Sequence, residues 1–267
     1  IYEDRIYKLS INCAKEAVKR GAKVFVQFST GDIYEGSGSA SKEDSKTKPW
    51  NTIAEYKLKV DKELQEMEGL NVIILRPAVV YGVGAMGGLT PRLICGRVYK
   101  HEKKKMEFLW TKDLRINTVH VDDVAKAIWH TSNWYISNDK SGPIIFNLAD
   151  DNDTDQEAVN THIRAIFGIE TGFQGTVVSQ IAKDATEEIN ELHLAPWSDI
   201  LKAHKITTSP LTPYLDQELL LNNALSLDGT QICTSTGFTY DHPKLTTESL
   251  KEVIADFQEL GIWPRDE

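Results

Sequence analysis

Two short stretches of the chain carry residues whose types and spacing could do chemistry. The first is Val24–Tyr34 (VFVQFSTGDIY), in which Ser29, Thr30 and Asp32 follow a run of apolar residues. Such a run indicates a buried parallel strand, and open α/β sheets bind their ligands beyond the carboxyl ends of their strands. Hydroxyl groups and a carboxylate at that place could hold a small ligand and move a proton.

The second stretch is Ile53–Asp61 (IAEYKLKVD), which has the apolar spacing of a helix and carries Lys57 four residues before Asp61. We predict a helix over 52–67, with Ile53 on its core-facing stripe together with Val60. A lysine on this helix could flank the ligand held at the end of the preceding strand.

Composition limits the classes of function. The 267 residues carry a net charge of −9, which disfavours a general role on nucleic acids or anionic membranes. The three cysteines are too far apart for a disulfide framework or a zinc pattern, so we expect a reducing, cytoplasmic location. The histidines are spread singly, so we expect no metal site. No apolar run reaches the roughly 18–20 residues of a membrane span, and no signal peptide is visible.

Further elements follow from periodicity and from capping residues. Pro77 should end a central strand over 71–76, Asp123 should cap a helix, and Thr154 with Glu157 should form a capping box. The other predicted elements are helices at 5–20, 90–100, 155–167, 184–194, 216–225 and 246–260, and strands at 115–121, 143–148 and 231–236.

Three polar or glycine-rich segments have two interpretations each. The loop Gly36–Pro49 is a solvated connection or a flap near the ligand. The bend over 81–88 is a generic turn or a phosphate loop. The acidic run over 149–157 invites a calcium loop, but Gln156 stands where glycine is required and His162 where glutamate is required.

Motifs in these stretches resemble the extended short-chain dehydrogenases/reductases, the NAD-dependent epimerase/dehydratase group. They are FSTGDIY at 28–34, the K-x-x-x-D of Lys57–Asp61, LRPAVVYG at 75–82 and VHVDDVAKAI at 119–128. The resemblance implies an α/β fold, namely the later half of a Rossmann-like doubly wound parallel sheet. That domain would span 1–82 and 116–150, and a smaller mixed α/β substrate-side region would span 83–115 and 151–267.

The resemblance also implies roles for single residues. Thr30 would be the active-site hydroxyl, Lys57 would hold the nicotinamide ribose, and Asp32 lies where dehydratase relatives carry an acid. Arg115 lies one residue from the position of a substrate diphosphate-binding arginine. The cofactor, NAD or NADP, would contact Ser29, Lys57, Pro77, Ala78 and Val80.

Two departures from the family pattern affect the expected chemistry. The catalytic tyrosine belongs four residues before the lysine, and that position is Ile53. Tyr56 is adjacent to Lys57, about 100° around the helix, and could act only if the helix were shifted so that Lys59 faced it. In addition, no glycine-rich phosphate turn occurs near the start. We therefore expect this chain alone to bind a dinucleotide poorly and to derive from a longer parent.

The sequence thus favours an NAD(P)-dependent epimerase/dehydratase-like or oxidoreductase-like protein acting on a nucleotide sugar or a similar hydroxyl or carbonyl compound. An altered set of Thr30, Asp32 and Tyr56 around Lys57 would do the acid–base work. The alternative is a non-catalytic descendant that binds a nucleotide or a protein, so enzymatic activity stays open. The expected partners are a small-molecule substrate and a second copy in a homodimer, with neither nucleic acid nor membrane.

Overall fold

The computed structural model describes residues 1–36, 38–182 and 186–265, and the chain divides into two compact units. The first comprises Ile1–Ala78, Asn117–Asp153 and Asn223–Pro243, and the second comprises Val79–Ile116, Thr154–Asn222 and Lys244–Glu267. The sequence-based division differs mainly in 223–243, which it assigned to the substrate-side region. Among the described helices, none has the length and apolar character needed to cross a membrane.

The elements are named in chain order. The strands are β1 (Phe25–Phe28), β2 (Val72–Pro77), β3 (Val79–Tyr81), β4 (Met106–Phe108), β5 (Thr118–His120), β6 (Pro143–Leu148) and β7 (Thr171–Phe173). The helices are α1 (Leu9–Lys19), α2 (Thr52–Glu66), α3 (Thr90–Glu102), α4 (Val121–Ser137), α5 (Gln156–Phe167), α6 (Gly175–Ala182), α7 (Thr186–Ala203), α8 (Thr230–Thr236) and α9 (Thr247–Glu259).

The first unit is built on a parallel sheet in the order β1-β2-β6, so the predicted α/β class with a parallel sheet is confirmed. Every residue of the central strand β2 is buried, which explains its continuous apolar run. Pro77 is the last residue of β2 and pairs with Leu148. A proline there costs the ladder a single donor at its end, where the strand stops anyway.

The amino-terminal helix begins with a π-helical segment, Glu3–Lys8, before it continues as α1. Helical spacing in the sequence puts Leu9 and Cys13 on one apolar stripe with Ile6, but both are exposed. Ile11 and Ala14 are buried in their place. A π-helical segment holds more residues per turn than an α-helix, so the buried face of the following turns is shifted in sequence.

Helix α2 has the predicted extent and is capped by Asn51, whose side-chain oxygen accepts the Ala54 N–H at 2.8 Å. The expectation that Ile53 faces the core is wrong, because its side chain is 47% exposed. The buried face includes Ala54 and Leu58, and Ile53 precedes it by one position, or about 100°.

Two elements of the carboxyl-terminal part differ from the predictions. The predicted strand over 231–236 is helix α8, and the predicted helix over 216–225 is a short 3₁₀ turn, Gln217–Leu220. In α8 the Thr236 hydroxyl donates to the Ile232 carbonyl at 2.6 Å, which lets a residue that favours strands be satisfied within a helix.

The second unit is a helical core with a small parallel pair, β4 with β7. Its centre is aromatic, and the Trp197 and Trp263 rings lie 5.3 Å apart. The predicted helices over 90–100 and 246–260 correspond to α3 and α9, and the predicted 155–167 to α5. Of the predicted helix 184–194, Asp184 and Ala185 lie outside the described residues, and the remainder belongs to α7.

Candidate active site

The carboxyl end of β1 turns sharply at Thr30. Thr30 is extended, and its Oγ1 accepts the Asp32 N–H at 3.2 Å, which opens the 3₁₀ turn Gly31–Ile33. The turn is thus closed by the Thr30 hydroxyl and not by the Asp32 carboxyl. The Thr30 hydroxyl can in turn donate its own hydrogen to the Asp32 carboxyl.

Asp32 lies half-buried behind this turn. Its Oδ2 accepts a hydrogen bond from Asn51 Nδ2 at 3.1 Å. Burial raises the pKa of the Asp32 carboxyl, and the hydrogen bonds from Asn51 and Thr30 act in the opposite direction. The carboxyl therefore holds a proton to a higher pH than an exposed aspartate, which suits a proton donor. It also orients the residue that caps α2, so Asp32 has a structural role as well.

Lys57 reaches from α2 to the end of β1. Its Nζ donates to the Phe28 carbonyl at 2.6 Å, and the ammonium lies 5.9 Å from the centre of the Phe28 ring. Burial lowers the pKa of Lys57, while the nearby Asp61 carboxylate raises it. Strand end and lysine are thus joined by a direct contact.

Asp61 and Arg76 form an ion pair beneath this corner. Asp61 is fully buried and Arg76 is 3% exposed. The Asp61 Oδ2 accepts from Arg76 Nε at 3.1 Å and from the Ser29 hydroxyl at 2.9 Å. The Ser29 hydroxyl therefore points at Asp61, and the contact predicted between Ser29 and a cofactor would have to come from its backbone.

The same arginine holds the loop over 36–49. Arg76 Nη1 donates to the Tyr34 hydroxyl at 2.8 Å and to the Glu43 carbonyl at 3.2 Å. The Tyr34 hydroxyl in turn donates to Asn147 Oδ1 at 2.8 Å, and the Glu43 carboxylate accepts the Asn147 N–H at 2.8 Å. Apart from Ser37, which lies outside the described residues, this loop is thus anchored to β2 and β6.

Tyr56 is the residue that the sequence offered as a substitute acid–base. Its ring packs against Tyr2, with ring centres 5.9 Å apart, and Lys59 Nζ lies 6.0 Å from the ring centre. Tyr56 thus lies against the amino-terminal helix, whereas Lys57 reaches toward β1. The register shift that would have brought Tyr56 into the site is not present in α2.

The remaining predicted contacts lie in both units. Pro77 and Ala78 are buried at the carboxyl end of β2, where the Ala78 N–H donates to the Leu148 carbonyl at 2.8 Å. Val80, half-buried in β3, belongs to the second unit. Arg115 also belongs there, and its guanidinium pairs with Asp155 at 3.1 Å.

Asp155 is also the residue that caps α5, because its side chain accepts the Ala158 N–H at 2.9 Å. The predicted capping box of Thr154 with Glu157 is therefore wrong, because the helix is capped one residue later, at Asp155. Arg115 thus stabilises the start of a helix, a role that needs no substrate.

A histidine pair was missed by sequence reasoning. His120 and His242 stack with ring centres 3.8 Å apart, and Asp122 completes a group whose potential ligand atoms lie within 4.8 Å of one another. The expectation that all histidines lie singly is therefore wrong for these two. No local signal could reveal a pair whose members are so far apart in sequence.

Capping and packing account for this group. His120 Nδ1 accepts the Asp122 N–H at 3.2 Å and so caps α4, where the sequence had placed Asp123. Asp123 is 1% exposed and accepts the backbone N–H groups of Asp241 and His242 at 2.7 and 2.9 Å. The His120 Nδ1, which lies 3.6 Å from an Asp122 carboxylate oxygen, thus already accepts the Asp122 N–H. We therefore assign no metal here.

Asp150 is a second residue that sequence reasoning missed. It follows β6, is 7% exposed, and accepts the Thr118 hydroxyl at 2.6 Å and the Asn152 N–H at 3.0 Å. Burial raises its pKa to about 6, and the charges of Asp151 and Asp123 act in the same direction. The acidic run over 149–157 was the available signal, but it pointed to calcium.

Asp150 makes the stability of the protein depend on pH. Because its pKa is about 6 in the folded chain against 3.8 ordinarily, the folded state binds the extra proton between these values. Stability therefore falls as pH rises through that window, by about 3 kcal/mol at most. We expect Asp150→Asn, which keeps the acceptor for Thr118, to remove this fall. Urea unfolding at pH 4 to 7 measures it, and an unchanged slope in the variant would contradict the assignment.

Comparison with known proteins agrees with the parallel sheet and with the order of the motifs. A family model described as NAD dependent epimerase/dehydratase family matches residues 3–149. A search of curated proteins found no significant match.

Solved structures share the fold at low sequence identity. MoeE5 in complex with UDP-glucuronic acid and NAD has a TM-score of 0.65 at 16% identity, over 97% of this chain and 72% of that one. A UDP-galactose 4-epimerase has a TM-score of 0.62 at 12% identity, over 98% and 72%.

A third structure is the UDP-glucose 4-epimerase of Thermus thermophilus in complex with NAD. Its TM-score is 0.59 at 17% identity, over 93% of this chain and 68% of that one. The family match spans more than half of the sequence and includes β1, α2 and β2 with their motifs. The chain therefore belongs to the NAD-dependent epimerase/dehydratase family.

Proposed function

We propose that the chain is an epimerase/dehydratase-like or oxidoreductase-like protein that uses a nicotinamide cofactor on a nucleotide sugar or a related hydroxyl or carbonyl compound. The observation that carries this proposal is the contact of Lys57 with the end of β1, directly before Ser29 and Thr30. The similar structures support the choice of cofactor and substrate class, since they include MoeE5 in complex with UDP-glucuronic acid and NAD and two UDP-sugar 4-epimerases.

The residues around Lys57 fit the nicotinamide end of such a cofactor. An ammonium has three N–H donors, and the hydrogen bond found for Lys57 within the described residues uses one, to Phe28. The others can bond the ribose hydroxyls, and Ala78 offers a small side chain at the neighbouring strand end. The bound cofactor would accept or return a hydride. Pro77 and Val80 remain proposed cofactor contacts, and Arg115 a proposed substrate contact.

The acid–base work falls to Thr30 and Asp32 in this proposal. The Thr30 hydroxyl would turn its hydrogen from the Asp32 carboxyl to the substrate oxygen, while its oxygen keeps the Asp32 N–H. Asp32, whose pKa burial raises, would supply or take up the proton. We leave Tyr56 out of this set because its ring packs against Tyr2.

Binding of nicotinamide mononucleotide tests the proposal, because this compound lacks the adenylate half and reports the Lys57 end alone. We expect calorimetry to show binding that Lys57→Ala weakens by about 10- to 100-fold, since hydrogen bonds to charged groups contribute about 1.5–3 kcal/mol. Lys59→Ala on the same helix is the control and should bind like the parent. Titration with NAD⁺ and NADP⁺ then decides the cofactor preference.

If the folded parent chain shows no binding of the mononucleotide, or if both alanine variants bind equally, the cofactor role of Lys57 is wrong. The second candidate function, a non-catalytic descendant that binds a nucleotide or a protein, is favoured by one observation. The position of the catalytic phenol holds Ile53, which has no proton to exchange and is largely open to solvent.

A further inference from the structure

The ammonium of Lys57 has little anionic compensation. Its acceptor within the described residues is a neutral carbonyl, that of Phe28, at 2.6 Å. The nearest carboxylate on α2, Asp61, uses Oδ2 for both Arg76 and Ser29. Asp61 still favours the Lys57 cation, but its charge is shared with Arg76 and its effect on the Lys57 pKa is smaller than that of burial.

The residue on the same face of α2, one helical turn before Lys57, is apolar and exposed. Ile53 stands there and is 47% exposed, and Lys57 itself is half-buried. An aliphatic neighbour offers no hydrogen bond to the ammonium, and partial burial favours the neutral amine. Both features favour a nucleophilic lysine.

Other lysines of the chain have the opposite environment. Lys59, two positions along α2, lies 3.2 Å from a Glu3 carboxylate oxygen and 3.6 Å from the centre of the Tyr7 ring. Lys8 and Lys105 are bonded to Asp4 and Glu107, which raise the pKa of each amine. The contacts of Lys8 and Lys105 stabilise the ammonium form, which cannot attack a carbonyl.

We propose that Lys57 is a nucleophilic amine that condenses reversibly with small aldehydes and ketones to form an imine. This activity goes beyond the proposed function and needs no nicotinamide. The neutral amine, after it has lost one proton to water, attacks the carbonyl carbon, and the carbonyl π electrons move to oxygen. Proton transfer gives a carbinolamine, which loses water to form the C=N bond, so no oxidant or reductant is required.

Trapping with glycolaldehyde and cyanoborohydride tests this proposal in the full chain. Cyanoborohydride adds hydride to the imine carbon, and the nitrogen is left as a stable secondary amine that mass spectrometry of peptides can locate. At pH 7 and early times we expect the Lys57 peptide to be labelled several-fold faster than those of Lys59 and Lys8. The pH midpoint of labelling at Lys57 should also lie below that at Lys8, whose pKa the Asp4 carboxylate raises.

Lys57→Arg should remove the fast site and leave labelling elsewhere unchanged, whereas Lys59→Arg should leave the fast site intact. Labelling of Lys57 at the rate of Lys59, or more slowly, in the folded parent chain would overturn the proposal. The assay contains no nicotinamide compound, so its failure leaves the mononucleotide titration untouched. Conversely, fast labelling without mononucleotide binding would support the amine chemistry alone.

Discussion

Ile53→Tyr is expected to raise turnover by about 10²–10⁴-fold in an assay that contains a bound nicotinamide cofactor and a substrate. This is the usual contribution of a positioned general acid–base. Positions 53 and 57 share one face of α2, so the new phenol would lie beside the Lys57 ammonium. A nearby cation favours the phenolate. Because 47% of the Ile53 side chain is exposed, a tyrosine fits there without displacing core atoms.

Two control variants test whether the gain needs the hydroxyl group of the new tyrosine and the Lys57 ammonium. Ile53→Phe adds the same ring without a hydroxyl and should give no gain, and Lys57→Ala in the Ile53→Tyr background should abolish the gain. Tyr56→Phe should leave turnover unchanged, with or without Ile53→Tyr, because Tyr56 packs against Tyr2. Ultraviolet titration of the Ile53→Tyr chain gives a readout that needs no substrate, namely a phenol pKa below the usual value of about 10.

The outcome decides between the two candidate functions. A lowered phenol pKa with a rate increase shows that the remaining groups still form a working site. A lowered phenol pKa without any rate increase, in a chain that binds the cofactor and is offered UDP-sugars, would count against the enzymatic proposal. It would favour the non-catalytic alternative.

The sheet and its helices could be predicted because their signals are local. The continuous apolar run of β2 and the strand signals of β1 and β6 each lie within a few residues. Helix α2 was predicted with its correct extent, and Val60 is buried as expected, but Ile53 is exposed because it lies one position before the buried Ala54. Periodicity finds a helix more reliably than it finds which side is covered.

The site was predicted where it follows the strand order and missed where it depends on distant partners. Thr30 and Lys57 were placed at one strand end because motif and topology agree. The cap of α4 by His120 and its stacking on His242 join two distant parts of the chain, so no window of sequence could show them. The raised pKa of Asp150 likewise depends on burial, which a run of acidic residues in the sequence does not indicate.

The anchoring role of Asp61 could not be foreseen from its place in the K-x-x-x-D motif, and it leads to the largest expected loss of stability. Asp61→Ala is expected to cost about 3–5 kcal/mol, because it leaves the Arg76 guanidinium, 3% exposed, without its carboxylate. The loss should be visible as a lower denaturant midpoint at an unchanged m-value. Asp61→Asn keeps an acceptor for the Ser29 hydroxyl and should cost less.

The expected loss of stability is large because the ion pair is buried, and not because the pair is short. The exposed Lys8–Asp4 pair is shorter, at 2.7 Å against 3.1 Å for Arg76–Asp61. Asp4→Ala is therefore the matched control, and its midpoint should barely change, since solvent screens exposed pairs. The double replacement Asp61→Leu with Arg76→Met removes both charges and should recover much of the loss, because neither partner is left buried alone. Equal midpoints for Asp61→Ala and Asp4→Ala would show that water already compensates Arg76, and that the pair does not hold α2 to β2.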